Sequence, residues 1–395
     1  MTDELIVGID LGTTNSCVSY WKDNNLVVIP DDKGNKTIPS YVSYTNINKY
    51  VGLDAKNQSV INANNVYYEV KRLIGCKFND PIVTKEKNLL SYKLVGDDNN
   101  NIRLLSSIMI NNDYKVFTPE EISAQILIKL KHMAQDFLKQ KISKAVITIP
   151  ARFTDSQRQA TLDAAKIAGL DCVRMIHEPT AAAMAYGLTN RKLKPDEVLN
   201  IIVYDYGGGT LDVTILTLDN GVFEVKSTSG NTHLGGEDFD HLMREYVFTS
   251  FCDKNVLKSK LLTAEDKDNL CSDYTLKSPL QFLKYTEPLD TEERYSSNVN
   301  NFLLRVNECQ KIRQNQKMMR KLLTMCESAK KTLSNNSSAQ INIDNFYNNI
   351  DLSVTITKSK FEEMCNELFI KSLEPIQNAL KDAKLTTKDI KDRKS

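Results

Sequence analysis

Apolar residues at the start of the chain recur with the period of two that is typical of half-buried strands. Clusters of Asn, Asp and Gly separate these runs and indicate turns. Similar runs return in the second half of the chain. Strands are therefore predicted over residues 6–10, 17–21, 26–29, 41–44, 144–150, 172–176, 198–205, 213–218 and 222–226, with a hairpin over 341–356.

Helix signals lie between the strands. Thr118 and Glu121 form a capping box with Pro119 at the first helical position, which predicts a helix to about Lys141. The other predicted helices cover 155–168 with Gly169 as the stop, 180–186 with Gly187 as the stop, 236–251, 318–333, 357–368 and 373–383. This alternation indicates an α/β fold. Residues 254–315 are polar and predict loops and helices outside the core.

Two short segments resemble one another and predict a duplicated hairpin. In the first, a strand ends at Asp10 and a turn follows over residues 12–14. In the second, a strand ends at Asp205 and the turn covers residues 207–210. Each tip offers a carboxylate, backbone N–H groups and hydroxyls, which suit a phosphate and a Mg²⁺ ion held through water. One tip alone is better explained as ordinary hairpin chemistry, but the pair favours the phosphate site.

Two further charged residues have both a plain and a functional interpretation. Glu178 precedes Pro179 at the start of a helix, where a carboxylate is favoured by the helix dipole. Lys71 stands beside an arginine and, taken alone, is a solvated charge. Both gain a functional interpretation only from the motifs around them. No G-x-x-x-x-G-K-S/T loop and no G-x-G-x-x-G after a strand occurs.

Composition narrows the class of protein. A chain of 395 residues predicts two or three domain-sized lobes, and a net charge of +1 gives no reason to expect nucleic acid or an anionic membrane as partner. No apolar run is long enough to span a membrane, and the acidic start lacks the features of a signal peptide. The eight cysteines are scattered without a C-x-x-C pair, which indicates free thiols in a reducing compartment. The expected location is the cytoplasm.

Several motifs together resemble the ATPase domain of the seventy-kilodalton heat-shock protein family. They are GIDLGTTNSCVSYW, KRLIG, TIPARFTDSQRQAT, AGLDCVRMIHEPTAAAMAYGL, VYDYGGGTLDVTIL and FEVKSTSGNTHLGGEDFD. The resemblance covers about 4–251 and 323–390. It implies an α/β, actin-like ATPase fold of two lobes, each a mixed sheet flanked by helices, with ATP in the cleft between them. The lobes are expected over 1–190 and 191–395.

The resemblance assigns roles residue by residue. The implied metal-side carboxylates are Asp10, Asp205 and Asp212. The implied catalytic residues are Lys71, Glu178, Asp205 and Thr210, with Glu178 and Asp212 orienting the attacking water or the cations. The implied phosphate contacts are Gly12, Thr13, Thr14, Asn15, Gly207, Gly208 and Gly209. The implied adenosine contacts are Glu327, Lys330, Lys331 and Ser334. The implied positions that couple the nucleotide to a partner domain are Pro150 and Arg158.

The implied function is slow ATP hydrolysis by the nucleotide-binding domain of a chaperone involved in protein folding. The implied ligands are ATP or ADP, Mg²⁺ and, as a further candidate, K⁺. J-domain co-chaperones and nucleotide exchange factors are the implied partners. Direct binding of unfolded peptides, nucleic acid or membrane is not expected of this chain. A sugar or acetate kinase of the same superfold is a weaker alternative, because such kinases lack HEPTAAA and HLGGEDFD.

The chain also departs from the family pattern. Arg152 replaces a usual aromatic residue, Lys331 stands where Arg is frequent, and residues 254–315 contain an insertion. The sequence stops at Ser395, before the family's last adenosine loop and its peptide-binding domain. Whether the chain is a fragment, a truncated product or a functional short form stays open. The alternative to an ATPase is therefore a non-catalytic module that binds co-chaperones without turnover.

Overall fold

The computed structural model describes most of the chain. The described residues are 5–23, 25–87, 89–110, 113–190, 198–219, 222–231, 234–257, 262–273, 279–284, 289 and 295–390. Within these ranges, no helix combines the length and the apolar character needed to cross a membrane.

Two compact units make up the chain. The first comprises Met1–Asp238 and Glu367–Ser395, and the second comprises Phe239–Asn366. The lobe boundary expected at 190/191 stays a prediction, and residues 191–197 lie outside the described part of the chain.

Strands β1–β15 belong to the first unit. They are β1 Ile6–Asp10, β2 Asn15–Lys22, β3 Asn25–Val28, β4 Ile38–Pro39, β5 Val42–Tyr44, β6 Lys49–Val51, β7 Val66–Tyr67, β8 Lys93–Gly96, β9 Ile102–Ile110, β10 Asp113–Phe117, β11 Lys144–Ile149, β12 Asp171–His177, β13 Leu199–Tyr206, β14 Leu211–Asp219 and β15 Val222–Asn231. The hairpin strands β16 Ser338–Tyr347 and β17 Ile350–Thr357 belong to the second unit.

Eleven α-helices are described. They are α1 Leu53–Asn57, α2 Pro81–Glu86, α3 Pro119–Leu138, α4 Asp155–Ile167, α5 Glu178–Asn190, α6 Gly236–Cys252, α7 Ala264–Asp273, α8 Ser297–Gln314, α9 Gln316–Leu333, α10 Lys358–Lys371 and α11 Glu374–Asp382. Among the shorter turns, the 3₁₀ turn Val70–Arg72 matters most because it carries Lys71.

The main sheet of the first unit has the order β12-β11-β1-β2-β3, and β4 pairs with β2. Strand β1 runs parallel to β11 and antiparallel to β2. A second sheet has the order β13-β14-β15 and is antiparallel throughout. The predicted duplication is confirmed at this level, because β13-β14-β15 repeats the hairpin order of β1-β2-β3. Buried aliphatic residues of β1, β2, β11, α3 and α4 form the core behind the first sheet.

The predicted helix starts are confirmed in detail. Thr118 Oγ1 accepts a hydrogen bond from Glu121 N at 3.1 Å, and Glu121 Oε2 accepts one from Thr118 N at 2.8 Å. A second capping box starts α4 at Thr154. Gly169 has a φ of 66°, which a glycine adopts without the cost of a Cβ. Helix α3 ends at Leu138 rather than near Lys141, because Lys139 takes the left-handed conformation.

The predicted stop at Gly187 is wrong. Helix α5 continues through this residue to Asn190. Glycine inside a helix costs only about 1 kcal/mol relative to alanine. A run of small residues before it keeps the helix going, so a glycine alone does not mark a helix end.

The interpretation of residues 254–315 as lying outside the core is also wrong. Helix α8 buries Val299, Phe302, Leu303 and Val306 in the core of the second unit. Their spacing of three and four residues places them on one helix face. Asn and Lys residues between them lower the overall hydropathy of the segment and hide this pattern.

A pair of adjacent leucines tests this core assignment. Leu303 is fully buried whereas Leu304 is 56% exposed. Leu303→Ala is therefore expected to lower the free energy of unfolding by about 2–5 kcal/mol, because it leaves a cavity. Leu304→Ala is the control and should change it by less than about 0.5 kcal/mol. Equal effects in chemical denaturation would show that α8 is a surface helix.

Candidate functional site

A cavity of about 440 Å³ lies in the first unit, at the tips of the two duplicated hairpins. Its lining comes from both tips, the 3₁₀ turn, strand β11 and the start of helix α5. The lining residues are Asp10, Gly12, Thr13, Thr14, Asn15, Lys71, Thr148, Glu178, Ala181, Ala182, Asp205, Gly207, Gly208 and Thr210. Eleven of these were predicted as site residues from sequence, and Thr148, Ala181 and Ala182 were not.

The first tip is held by local hydrogen bonds. Gly12 N donates to Ser16 Oγ at 3.1 Å, and Ser40 Oγ donates to Gly12 O at 2.7 Å. A Cβ at position 12 would lie 2.0 Å from Asn15 O, so the turn needs glycine there. Asp10, at the end of β1, accepts a hydrogen bond from Thr148 Oγ1 at 2.8 Å. The tip therefore presents a fixed carboxylate and a fixed turn to the cavity.

The second tip lies directly against the first. Gly207 N donates to Thr210 O at 2.9 Å and closes the turn. A Cβ on Gly208 would meet Thr14 Oγ1 at 1.6 Å, and a Cβ on Gly209 would meet Thr13 Cγ2 at 2.8 Å. The glycines thus allow the two turns to contact each other, which brings hydroxyls and backbone N–H groups of both to one place.

Lys71 and Glu178 form an ion pair at one side of the cavity. Lys71 Nζ lies 2.5 Å from Glu178 Oε1, and the two side chains are 11% and 14% exposed. Burial raises the pKa of Glu178 from 4.5 to about 7, Lys71 opposes this rise, and the charges of Asp10 and Asp205 add to it. The two residues lie 107 positions apart in the sequence, and the fold brings their side chains into contact.

Asp205 and Asp212 are partners across the β13–β14 hairpin. Burial and the charge of Asp10 raise the pKa of Asp205, while Lys71 opposes the rise. Burial, followed by the charge of Asp205, raises the pKa of Asp212 to about 6. Three carboxyl groups, those of Asp10, Glu178 and Asp205, therefore line the cavity together with the single ammonium group of Lys71. Among the described residues, no group of three or more His, Cys, Asp and Glu side chains is arranged to hold a metal alone.

The raised pKa of Glu178 predicts a stability effect with a definite sign. A carboxyl whose pKa is higher in the folded protein disfavours folding when it ionises, so stability is lost as pH rises from 4.5 through about 7. Glu178→Gln should raise the free energy of unfolding at pH 8 by about 1–3 kcal/mol and leave it unchanged at pH 4. Thermal unfolding at the two pH values measures the effect.

Glu362→Gln, on an exposed position of α10, is the matched control and should leave stability unchanged at both pH values. A Glu178→Gln variant that is less stable than the unsubstituted chain at pH 8 would contradict the assignment.

The remaining predicted residues do not line the cavity. Gly209 and Asp212 are buried beside the cavity without lining it. Glu327, Lys330, Lys331 and Ser334 belong to α9 and its C-cap in the second unit. Lys331 pairs with Glu327 and Lys330 pairs with Asp240, each at 2.7 Å. Pro150 is buried at the end of β11, and half-buried Arg158 donates to Phe153 O at 3.4 Å.

Thr148, Ala181 and Ala182 could have been found by pattern. Thr148 comes near the end of a strand that runs parallel to β1, and the ends of parallel strands meet at one edge of a sheet. The alanines occupy the first turn of a small-residue helix beside Glu178, where small side chains leave room for a ligand. To place Thr148 and the two alanines at the cavity, one must know which strands pair, and the sequence alone did not predict that pairing.

The fold and the cavity define a nucleotide-binding domain of the actin-like ATPase class. The family model described as "Hsp70 protein" matches residues 6–266 and 294–393. The chain is 39% identical over 384 residues to heat shock cognate 70 kDa protein 3 of Dictyostelium discoideum, covering 97% of this chain and 52% of that protein. It is 39% identical over 379 residues to a heat shock 70 kDa protein of Neurospora crassa, covering 96% and 50%.

A heat shock protein 70 homolog of Acanthamoeba polyphaga mimivirus is 40% identical over 392 residues, covering 98% of this chain and 36% of that protein. The chain belongs to the Hsp70 family, and it corresponds to the nucleotide-binding domain of an Hsp70-type chaperone. It spans about half the length of the first of these relatives. The family match leaves out residues 267–293, which fall inside the predicted insertion at 254–315.

Proposed function

We propose that the chain binds ATP together with Mg²⁺ and hydrolyses it slowly, with water as the nucleophile. The observation that carries this proposal is the convergence on one cavity of two phosphate-type tips, two carboxylates and the Lys71–Glu178 pair. Phosphoryl transfer needs mostly positioning and electrostatic stabilisation, and these groups supply both.

The two tips bind the phosphates. Backbone N–H groups of the glycine turns and of Thr14, together with the hydroxyls of Thr13 and Thr210, donate hydrogen bonds to phosphate oxygens. The Lys71 ammonium stabilises the negative charge that develops on the terminal phosphate. Glu178 orients the attacking water and accepts its proton, a role that suits a carboxyl whose pKa is about 7.

Mg²⁺ fits the residues present. Asp10 raises the pKa of Asp205 by repulsion, and a cation between them relieves that repulsion. Magnesium commonly uses one or two carboxylates, water and substrate phosphates, so a cluster of three acids is not needed. The ion supplies neutralisation of phosphate charge. Asp10 and Asp205 would hold it through water, Asp212 would add its carboxyl group to them, and K⁺ is a further candidate ion for the same acidic residues.

The adenosine contacts are proposed from α9. Glu327, Lys330, Lys331 and Ser334 match the family's adenosine positions in sequence. Their donors and acceptors suit ribose hydroxyls and a purine. Lys331 replaces a frequent Arg and lacks the flat guanidinium that stacks on a base, so this contact is expected to be weaker.

At the level of the longer relatives, ATP hydrolysis in this domain is proposed to control a chaperone cycle in protein folding. Pro150 and Arg158 are the proposed coupling positions, and J-domain proteins and nucleotide exchange factors are the proposed partners. The alternative, a module that binds co-chaperones without turnover, is not favoured, because one cavity is lined by the whole set Asp10, Lys71, Glu178, Asp205 and Thr210.

Release of inorganic phosphate from ATP tests this proposal. The unsubstituted chain should release phosphate slowly in the presence of Mg²⁺ and much more slowly after Mg²⁺ is chelated. ATP that binds without any phosphate release would favour the non-catalytic alternative. Transfer of phosphate to a small sugar would revive the kinase interpretation.

A further inference from the structure

A second cluster of charges is buried beneath the cavity and has no assigned role. Its centre is Arg72, the residue after Lys71, whose side chain is 3% exposed. Arg72 Nη1 lies 2.9 Å from Glu86 Oε1, Nη2 lies 3.5 Å from Asp238 Oδ2, and Nε lies 3.7 Å from Glu69 Oε2. One guanidinium is thus surrounded by carboxyl groups from three separate segments. Burying a charge this deeply carries a high desolvation cost, which only close partners of opposite charge offset.

Glu69 and Glu237 complete the cluster. Glu69 Oε2 and Glu237 Oε2 are buried oxygens, and neither has a hydrogen-bond partner. The two carboxyl groups are close enough for Glu237 to act on the pKa of Glu69. Burial raises the pKa of Glu69 well above its ordinary range, Glu237 raises it further, Arg72 opposes the rise, and Glu86 adds to it. A proton on Glu69 donated to Glu237 satisfies both oxygens.

This cluster is joined to the first hairpin tip. Thr14 Oγ1 donates to Glu237 Oε1 at 2.7 Å. A path of polar contacts therefore runs from Arg72 through Glu69 and Glu237 to the hydroxyl of Thr14, which lines the cavity. The path fixes the rotamer of Thr14, and Gly208 packs against that same hydroxyl.

The cluster is also joined to the second tip. Asp238 Oδ2, which contacts Arg72, accepts a hydrogen bond from Gly235 N at 2.6 Å. A Cβ on Gly209 would lie 2.6 Å from Arg72 Nε, so the guanidinium lies directly under the glycine turn. Lys71 is the residue before Arg72 in the chain. The first tip, the second tip and Lys71 are therefore all connected to the Arg72 side chain.

We propose that Arg72, with the buried Glu69 and Glu237 carboxyl groups, is a positioning device that sets both hairpin tips and Lys71 at the spacing an ATP phosphate chain requires. The inference rests on the proposed function for its ligand, but the positioning itself is a property of the protein alone. Arg72 acts through Thr14, Gly209 and Lys71 and does not touch the cavity.

Four variants test the device. Arg72→Lys keeps the charge and loses the fork that reaches several carboxyl groups. Glu69→Ala removes the link to Glu237, whereas Glu69→Gln keeps an N–H donor that mimics the protonated acid. Arg320→Lys, an arginine of similar burial on α9 of the second unit, is the matched control. Each variant is assayed without ligand by amide hydrogen exchange over residues 12–15 and 207–210, and with ATP and Mg²⁺ by calorimetric titration.

Arg72→Lys and Glu69→Ala should speed exchange in both tips and weaken ATP binding by about tenfold or more, the loss expected for a buried charged hydrogen bond. Glu69→Gln and Arg320→Lys should match the unsubstituted chain in both measurements. Unchanged exchange in Glu69→Ala, or equal effects of Glu69→Ala and Glu69→Gln, would overturn the inference.

The Glu69 pair keeps the test decisive if Arg72→Lys does not fold. Failure of the proposed function has a different signature. In that case the unsubstituted chain binds no ATP. The hydrogen-exchange rates of the two tips, measured without ligand, still show whether Arg72 and Glu69 hold the tips in place.

Discussion

Replacing Lys71 with methionine is expected to lower kcat for ATP hydrolysis by about 10²- to 10³-fold, the usual cost of losing one donor to a developing negative charge. Methionine keeps an unbranched side chain of similar length and removes the ammonium group, with its charge and its N–H donors. Lys71 Nζ now lies 2.5 Å from Glu178 and projects into the cavity that both tips line. The affinity for ATP should change by less than about tenfold, because the tips supply the other phosphate contacts. Single-turnover phosphate release measures the effect.

Lys77→Met is the matched control. Lys77 is exposed and close in sequence. Its Nζ donates to Asn99 O at 3.5 Å and to Asn101 Oδ1 at 2.7 Å. This variant should hydrolyse ATP like the unsubstituted chain. If Lys71→Met retained full kcat, Lys71 would have no part in the chemistry, and the cavity would be a binding site at most.

Gly235→Ala is expected to have the second large effect. A Cβ at this position would lie 2.2 Å from Gly208 O and 2.4 Å from Gly209 N. These are backbone atoms of the second tip, so the turn itself must move. Overpacking of this kind costs about 2–3 kcal/mol of stability. The displaced turn should also weaken ATP binding by at least about tenfold, because small errors in position are costly at such sites.

Gly207→Ala provides the comparison for stability. The nearest atom to a Cβ there is Thr210 O at 3.5 Å, which is ordinary contact. Its free energy of unfolding should change by less than about 1 kcal/mol. Equal destabilisation by the two alanines would show that the contact between Gly235 and the glycine turn is not as tight as described.

Local chemistry explains what the sequence could predict. The capping boxes at Thr118 and Thr154 and the two hairpin tips each depend on residues within a few positions of one another. The two tips that line the cavity could therefore be predicted from sequence, with Asp10 and Asp205 at their strand ends. Lys71 and Glu178 were recognised only by resemblance, because neither has a local pattern that distinguishes it from a surface charge.

Long-range packing explains what the sequence could not predict. The carboxyl groups around Arg72 include those of Glu86 and Asp238, which lie far apart in the sequence. No local sequence pattern predicts that they contact one arginine. The core face of α8 was hidden by its polar composition, although Leu303 and its neighbours repeat at helical spacing. The continuation of α5 through Gly187 depended on helix context rather than on the glycine.

Calorimetric titration of the unsubstituted chain with ATP tests the central claim most directly. The claim is that the cavity between the duplicated tips is a nucleotide-phosphate site. We expect saturable binding of one ATP per chain in the presence of Mg²⁺. After chelation, binding should be at least about tenfold weaker, because the Asp10 and Asp205 carboxylates then repel the phosphates. Absence of saturable heat from the folded chain at high micromolar concentration would contradict the account.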